Sequence, residues 1–96
     1  MKLLLVIYSG SQPSLVPELL DEHNAGGYTE LRQLHGAGAT GKREGSRAWP
    51  GDASVYFSIV PQDRVDDLLT AVKQKAAAMQ AAERLHAAVI PTETFF

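Results

Sequence analysis

The chain has 96 residues, 45% of them apolar and 21% charged, with a net charge of −2 and no cysteine. That length suits one domain, residues 1–96, whose single core would bury roughly 60–70% of the unfolded surface. The charge gives no general attraction to nucleic acid or an anionic membrane, and the lack of cysteine excludes disulfides, thiolate metal ligands and a cysteine nucleophile, in keeping with a reducing, cytoplasmic setting.

Lys2–Tyr8 is an uninterrupted apolar run containing Val and Ile, stopped by Ser9-Gly10-Ser11, and it predicts a strand buried on both faces. Its apolar stretch, Leu3–Tyr8, is short for a signal peptide and no small-residue cleavage site follows. No segment approaches the roughly 20 apolar residues that a membrane span needs. A first helix follows, with Ser14 as cap and Pro17 in its first turn. Val16, Leu19, Leu20 and His23 fall at i, i+3, i+4 and i+7 before Asn24-Ala25-Gly26-Gly27 ends it.

Tyr28–His35 predicts a second, amphipathic strand, with Thr29, Leu31, Gln33 and His35 on one face and Tyr28, Glu30, Arg32 and Leu34 on the other. Ala53–Val60 predicts a third, with Val55, Phe57 and Ile59 opposite Tyr56, Ser58 and Val60, closed by Pro61. A second helix is expected from about Gln62 or Asp63 to about Ala82, on a stripe of Val65, Leu68, Leu69, Val72, Ala76 and Met79. Its acidic start and basic later turns suit the helix dipole. The last strand is Leu85–Ile90, stopped at Pro91.

This β-α-β-β-α-β order is that of a ferredoxin-like α+β sandwich, a four-stranded antiparallel sheet with two helices on one face. The two most apolar strands, the first and third, belong at its centre. Because the first strand is apolar on both faces, one face of the sheet keeps an apolar patch that the helices do not cover. A homo-oligomer packed through its sheet faces would remove that patch from water.

Between the second and third strands lie the seventeen residues Gly36–Asp52 (GAGATGKREGSRAWPGD), holding five of the eight glycines and three of the nine Lys/Arg residues. Antiparallel strands are usually joined by about 2–5 residues, so a connection this long points to function. GAGATGKR matches the Walker A pattern except at its last position, where Arg43 replaces the hydroxyl residue that would hold Mg²⁺. The following Glu44–Gly51, with two glycines and a proline, does not suit the required helix. Nucleotide hydrolysis is therefore not expected. Gly36, Gly38 and Gly41 can still bring backbone donors to an anion, which Lys42, Arg43 or Arg47 can neutralise. Trp49 could stack on a base or a partner surface, or fold back.

His23, His35 and His86 have no partner at metal-ligand spacing, and no nucleophile-elbow pattern occurs, so neither a metal nor a catalytic centre is expected. Asp63, Asp66 and Asp67 are read as helix-dipole complements.

The element order, GGYTELRQLHGAG with a long loop directly after it, and SVYFSIVPQDRVDDLLTAV returning into a strand-Pro-helix passage resemble the PII-like family of trimeric signalling proteins. The likeness covers nearly the whole chain, and its most specific part pairs Gly27-Tyr28-Thr29 with Gly36-Ala37-Gly38 around the second strand. It implies a ferredoxin-like homotrimer, without a cofactor, that binds small ligands such as adenine nucleotides in clefts between subunits. Residues 36–52 would be a shortened T-loop that changes conformation with the ligand and engages a partner protein. The chain departs from the family where Gln80-Ala81-Ala82-Glu83-Arg84 replaces a glycine-rich phosphate loop, and where Thr94-Phe95-Phe96 stands without the family's arginine pair. The resemblance then implies that Lys42, Arg43, Arg47 or Arg84 meets the ligand's charge. Three other readings share the architecture: a divalent-metal-binding trimer like the CutA proteins, a ligand-free interaction scaffold, and a small enzyme, which would need a cleft with titratable groups across a subunit boundary.

Overall fold

The computed structural model describes residues 1–38, 41–43, 53–80 and 82–96, the side chains of 36–38 and 41–43 excepted. Lys2–Ser9 forms β1, Leu15–Glu22 forms α1 and Thr29–Leu34 forms β2. Gly36–Gly38 and Gly41–Arg43 are two short strands, β3 and β4, and Ala53–Val60 is β5. A 3₁₀ turn at Gln62–Arg64 leads into α2, Val65–Ala77, and Arg84–Pro91 closes the fold as β6. The main sheet has the order β2-β5-β1-β6, so the two most apolar strands are central, as expected. Every neighbouring pair in it is antiparallel.

Period-two alternation decides which side chains the helices cover. Leu4, Val6 and Tyr8 of β1, and Tyr56, Ser58 and Val60 of β5, are buried beneath the helices. They pack with Leu15, Val16, Leu19 and Leu20 of α1, Leu68, Ala71 and Val72 of α2, and Leu85 of β6. Register then places Leu3, Leu5 and Ile7, with Val55, Phe57 and Ile59, on the opposite, open face. Ile7, Leu31 and Ile90 there are 38%, 45% and 43% exposed. The apolar open face anticipated from β1 is present.

Four local expectations are corrected. Ser14 makes no side-chain cap; its carbonyl accepts the Glu18 N–H at 3.0 Å instead. β2 does not alternate through to His35, because the register slips by one residue between Leu31 and Leu34, where Gln33 takes a φ of 58°. That bulge pairs Leu34 with Ala53, on the same open face as the Leu31–Val55 pair. Helix α2 ends at Ala77 rather than near Ala82, although its alanines favour continuation. The N–H groups of Ala78 and Met79 turn to the carbonyls of Lys75 and Ala76, at 3.2 and 3.3 Å, as the chain reverses toward β6. β6 runs through Pro91, which an edge strand tolerates because an N–H facing away from the sheet is not missed.

The largest change lies in the long connection. Gly36 pairs with Arg43, Ala37 with Lys42 and Gly38 with Gly41, so its first part is a small antiparallel hairpin. This paired, extended backbone differs from the wrapped loop of a Walker A motif, whose successive N–H groups converge on one point. Ala39, Thr40 and residues 44–52, Arg47 and Trp49 among them, lie outside the described residues.

Gly10 is required by close approach, since a Cβ there would collide with the Tyr8 phenol and come within 2.9 Å of a Glu83 carboxylate oxygen. Gly27 has open space around it. Gly10→Ala is therefore expected to lower stability by about 1–3 kcal/mol, while Gly27→Ala changes it little or raises it. Denaturant midpoints of the two variants measure the contrast. Leu68, fully buried under the sheet, sets the scale, with Leu68→Ala costing about 2–5 kcal/mol.

Candidate functional site

Of the predicted basic residues, Arg84 and the hairpin segment that carries Lys42 and Arg43 lie at the same end of the sheet, and Arg47 lies outside the described residues. Leu34 pairs with Ala53 on one edge, Tyr8 with Ser54 at the centre and Ser9 with Arg84 on the other edge, so these residues form one row across the strands. The β3–β4 hairpin leaves β2 two residues after Leu34, at this same end. Gly36, Gly38, Gly41, Lys42 and Arg43 belong to the hairpin, whereas Arg84 opens β6 at the opposite edge. Three strand spacings, about 14 Å, separate those edges. One protomer thus places Arg84 and the hairpin at the same end without bringing them together.

Two turns meet beside Arg84. The Tyr8 hydroxyl accepts the Gln12 N–H at 2.9 Å and lies 3.3 Å from a Glu83 carboxylate oxygen, to which it donates. It thereby ties the β1–α1 turn to the α2–β6 turn. Burial is the main reason the Tyr8 phenol ionises above its usual range; the Gln12 N–H opposes the shift and the Glu83 charge adds to it. Arg84 donates from its guanidinium to the Glu83 carbonyl at 3.0 Å.

A second network occupies the β2 edge. Arg32 donates to both Glu30 carboxylate oxygens, at 2.9 and 3.3 Å, and the buried Tyr56 donates its hydroxyl to Glu30 at 3.1 Å. Tyr28 meets the Tyr56 ring edge-on at 5.9 Å. The Arg32 hydrogen bond, helped by Tyr56, holds the Glu30 carboxyl below its usual range. Burial, reinforced by Glu30, pushes the Tyr56 phenol up to about 12, so it stays a donor at neutral pH.

At the other end of β2 a cleft of about 410 Å³ opens between Met1, Leu3, Gly27, Tyr28, Thr29 and Phe57, with Gly26 and Phe95 also on its wall. Among the described residues no charged side chain lines it. The Ser58 hydroxyl fixes its floor by donating to the Gly27 carbonyl at 2.6 Å. Gly27-Tyr28-Thr29 and Gly36-Ala37-Gly38 therefore sit at opposite ends of β2.

Among the described residues no three His, Asp or Glu side chains gather as a metal site. His23 follows α1, His35 follows β2 and His86 lies on β6. No described helix is long and apolar enough to cross a membrane.

The hairpin was not legible in the sequence because Gly36–Gly38 and Gly41–Arg43 hold none of the β-branched or aromatic residues that mark strands. The Glu30–Arg32 pair was legible as opposite charges two apart on one strand face. The Tyr8–Glu83 contact joins residues 75 apart and left no local signal.

No protein-family model matches the sequence, and no relative is found among curated proteins. Solved structures do match. CPII, a nitrogen regulatory PII-like protein from Thiomonas intermedia K12 bound to ADP, AMP and bicarbonate, aligns with a TM-score of 0.65 at 24% identity, covering 94% of this chain and 93% of that one. A Thermus thermophilus protein described as PII-like signalling aligns at 0.60 and 19% identity, over 92% and 83% of the two chains. A DUF3240 family protein from Shewanella baltica OS155 aligns at 0.58 and 14% identity, over 99% and 93%. The chain has the ferredoxin-like fold of the PII-like signalling proteins.

Replacing Arg32 by Ala should raise the Glu30 carboxyl toward its ordinary value, and Tyr56→Phe should do the same to a smaller extent; NMR titration of the Glu30 carboxyl measures both. Because folding lowers the Glu30 pKa, the network's contribution to stability is present above the unfolded carboxyl value. It fades as pH falls through the folded one.

Proposed function

We propose that this chain, built on the PII-like fold, is a non-enzymatic cytoplasmic regulator that works as a homotrimer. It senses a small anionic ligand, an adenine nucleotide being the leading candidate, and relays its occupancy to a partner protein through residues 36–52. The observation that carries this reading is the placement of the basic hairpin and Arg84 at one end of the sheet but on opposite edges. A ring of copies brings the hairpin edge of one protomer to the Arg84 edge of the next, so that Lys42, Arg43 and Arg47 share one anion site with Arg84 across a subunit boundary. The apolar open face supplies the association energy, since burying it removes Leu3, Leu5, Ile7 and Phe57 from water.

The ligands of CPII, ADP, AMP and bicarbonate, define the panel to try. Ligand binding shifts the conformers of the 36–52 segment, whose glycines make rearrangement inexpensive, and the partner reads that shift.

Calorimetric titration with AMP, ADP, ATP and bicarbonate, alongside sedimentation, tests the reading. A trimer with saturable nucleotide binding, weakened about tenfold or more in Lys42→Ala/Arg43→Ala, is the expected result. A monomer that binds none of the four would contradict it.

A further inference from the structure

The apolar open face of the sheet carries one imidazole among its aliphatic rows. Cross-strand register sets Leu31, Val55, Ile7 and His86 in a single row over all four strands. Thr29, Phe57, Leu5 and Ala88 form the row on one side of it, and the row on the other side ends in Ser9 and Arg84. His86 is exposed there, and no acidic residue shares that face among the described strand residues. Arg84 lies two residues, about 7 Å, along β6. Helix α2, which packs on β6, carries Asp66, Asp67, Lys73 and Lys75 on the other side of the sheet, as α1 does Glu18, Asp21 and Glu22. Glu83, bonded to the core-facing Tyr8, is on that side too. Among the described residues a protonated His86 therefore has no carboxylate on its own face to pair with.

We propose that His86 makes association through the open face proton-sensitive: copies of this chain associate while its imidazole is neutral and separate when it takes up a proton. This rests on the homo-oligomer reading above. A second copy is the occupant that the face fits. Four strands about 4.8 Å apart and mostly eight residues long present roughly 500 Å² before side-chain relief is added, the same order as the ~800 Å² that each partner gives to a stable interface. A charged partner finds no complementary acidic group on these strands, whereas another copy brings a matching apolar surface. Histidine changes charge between about pH 5 and 8. Burial against Ile7, Leu5 and the facing copy disfavours the charged form, and Arg84 adds like charge beside it. The free protomer thus binds the proton more readily than the assembled one. Association is complete at the upper end of that window and is lost as pH falls through it.

Sedimentation of wild type, His86→Gln and His86→Arg at about pH 8 and about pH 5.5 reads the effect, with circular dichroism at both pH values to report folding. Wild-type association is expected to weaken roughly tenfold or more at the lower pH. His86→Gln associates equally at both, and His86→Arg, charged throughout, is weak at both. Should His86→Gln lose its native spectrum, His86→Leu supplies the non-titrating arm. Wild-type assembly equally tight at both pH values, or a pH dependence that survives in the non-titrating variant, overturns the role of His86 and leaves the homo-oligomer standing. A wild-type monomer at both pH values overturns both.

Discussion

Strand β1 is apolar at almost every position, yet helices cover only one of its faces, and the rest of the structure follows from that imbalance. Leu4, Val6 and Tyr8 build the core beneath α1 and α2 with Tyr56 and Val60. Leu3, Leu5 and Ile7 are left on the face that no described helix covers. Burying apolar area is worth about 25 cal/mol per Å², so such a face favours association strongly. A second copy is the partner that is always present at matching concentration.

The same sheet sets where polar chemistry can occur. Its edges are occupied differently: β2 is bulged at Gln33 and laced with Glu30 and Arg32, whereas β6 pairs without a register shift and opens on Arg84. Bulges and charges blunt an edge against indiscriminate pairing. The row of strand ends holds the hairpin on one side and the Tyr8–Glu83–Arg84 group on the other. Within one protomer the two groups stand apart, and the cations remain divided between the two edges.

Most of the architecture was legible because it rests on periodicity. The alternating β5, the doubly apolar β1 and the 3.6-residue stripe of α2 each named their element and their place in the sheet. What periodicity could not carry was the end of α2, where the reversal into β6 overrides a run of alanines, and the β2 bulge, where a single residue, Gln33, turns Leu34 to the other face. The candidate site was legible in residue type only. Glycines and basic residues marked residues 36–43, but pairing between Gly36 and Arg43 depends on backbone register with no sequence signature. Glu83 read as an interruption of a missing loop, because its partner Tyr8 is 75 residues away.

The hairpin of one protomer and Arg84 of another are proposed to form a single anion site. Mixing two binding-deficient proteins, Lys42→Ala/Arg43→Ala and Arg84→Ala, after dissociation and reassembly tests it directly. Shared sites predict that roughly a quarter of the sites in an equimolar mixture regain ligand binding, since each needs an intact hairpin from one subunit and an intact Arg84 from its neighbour. Mixed assemblies that form but bind no more ligand than the separate variants would contradict it.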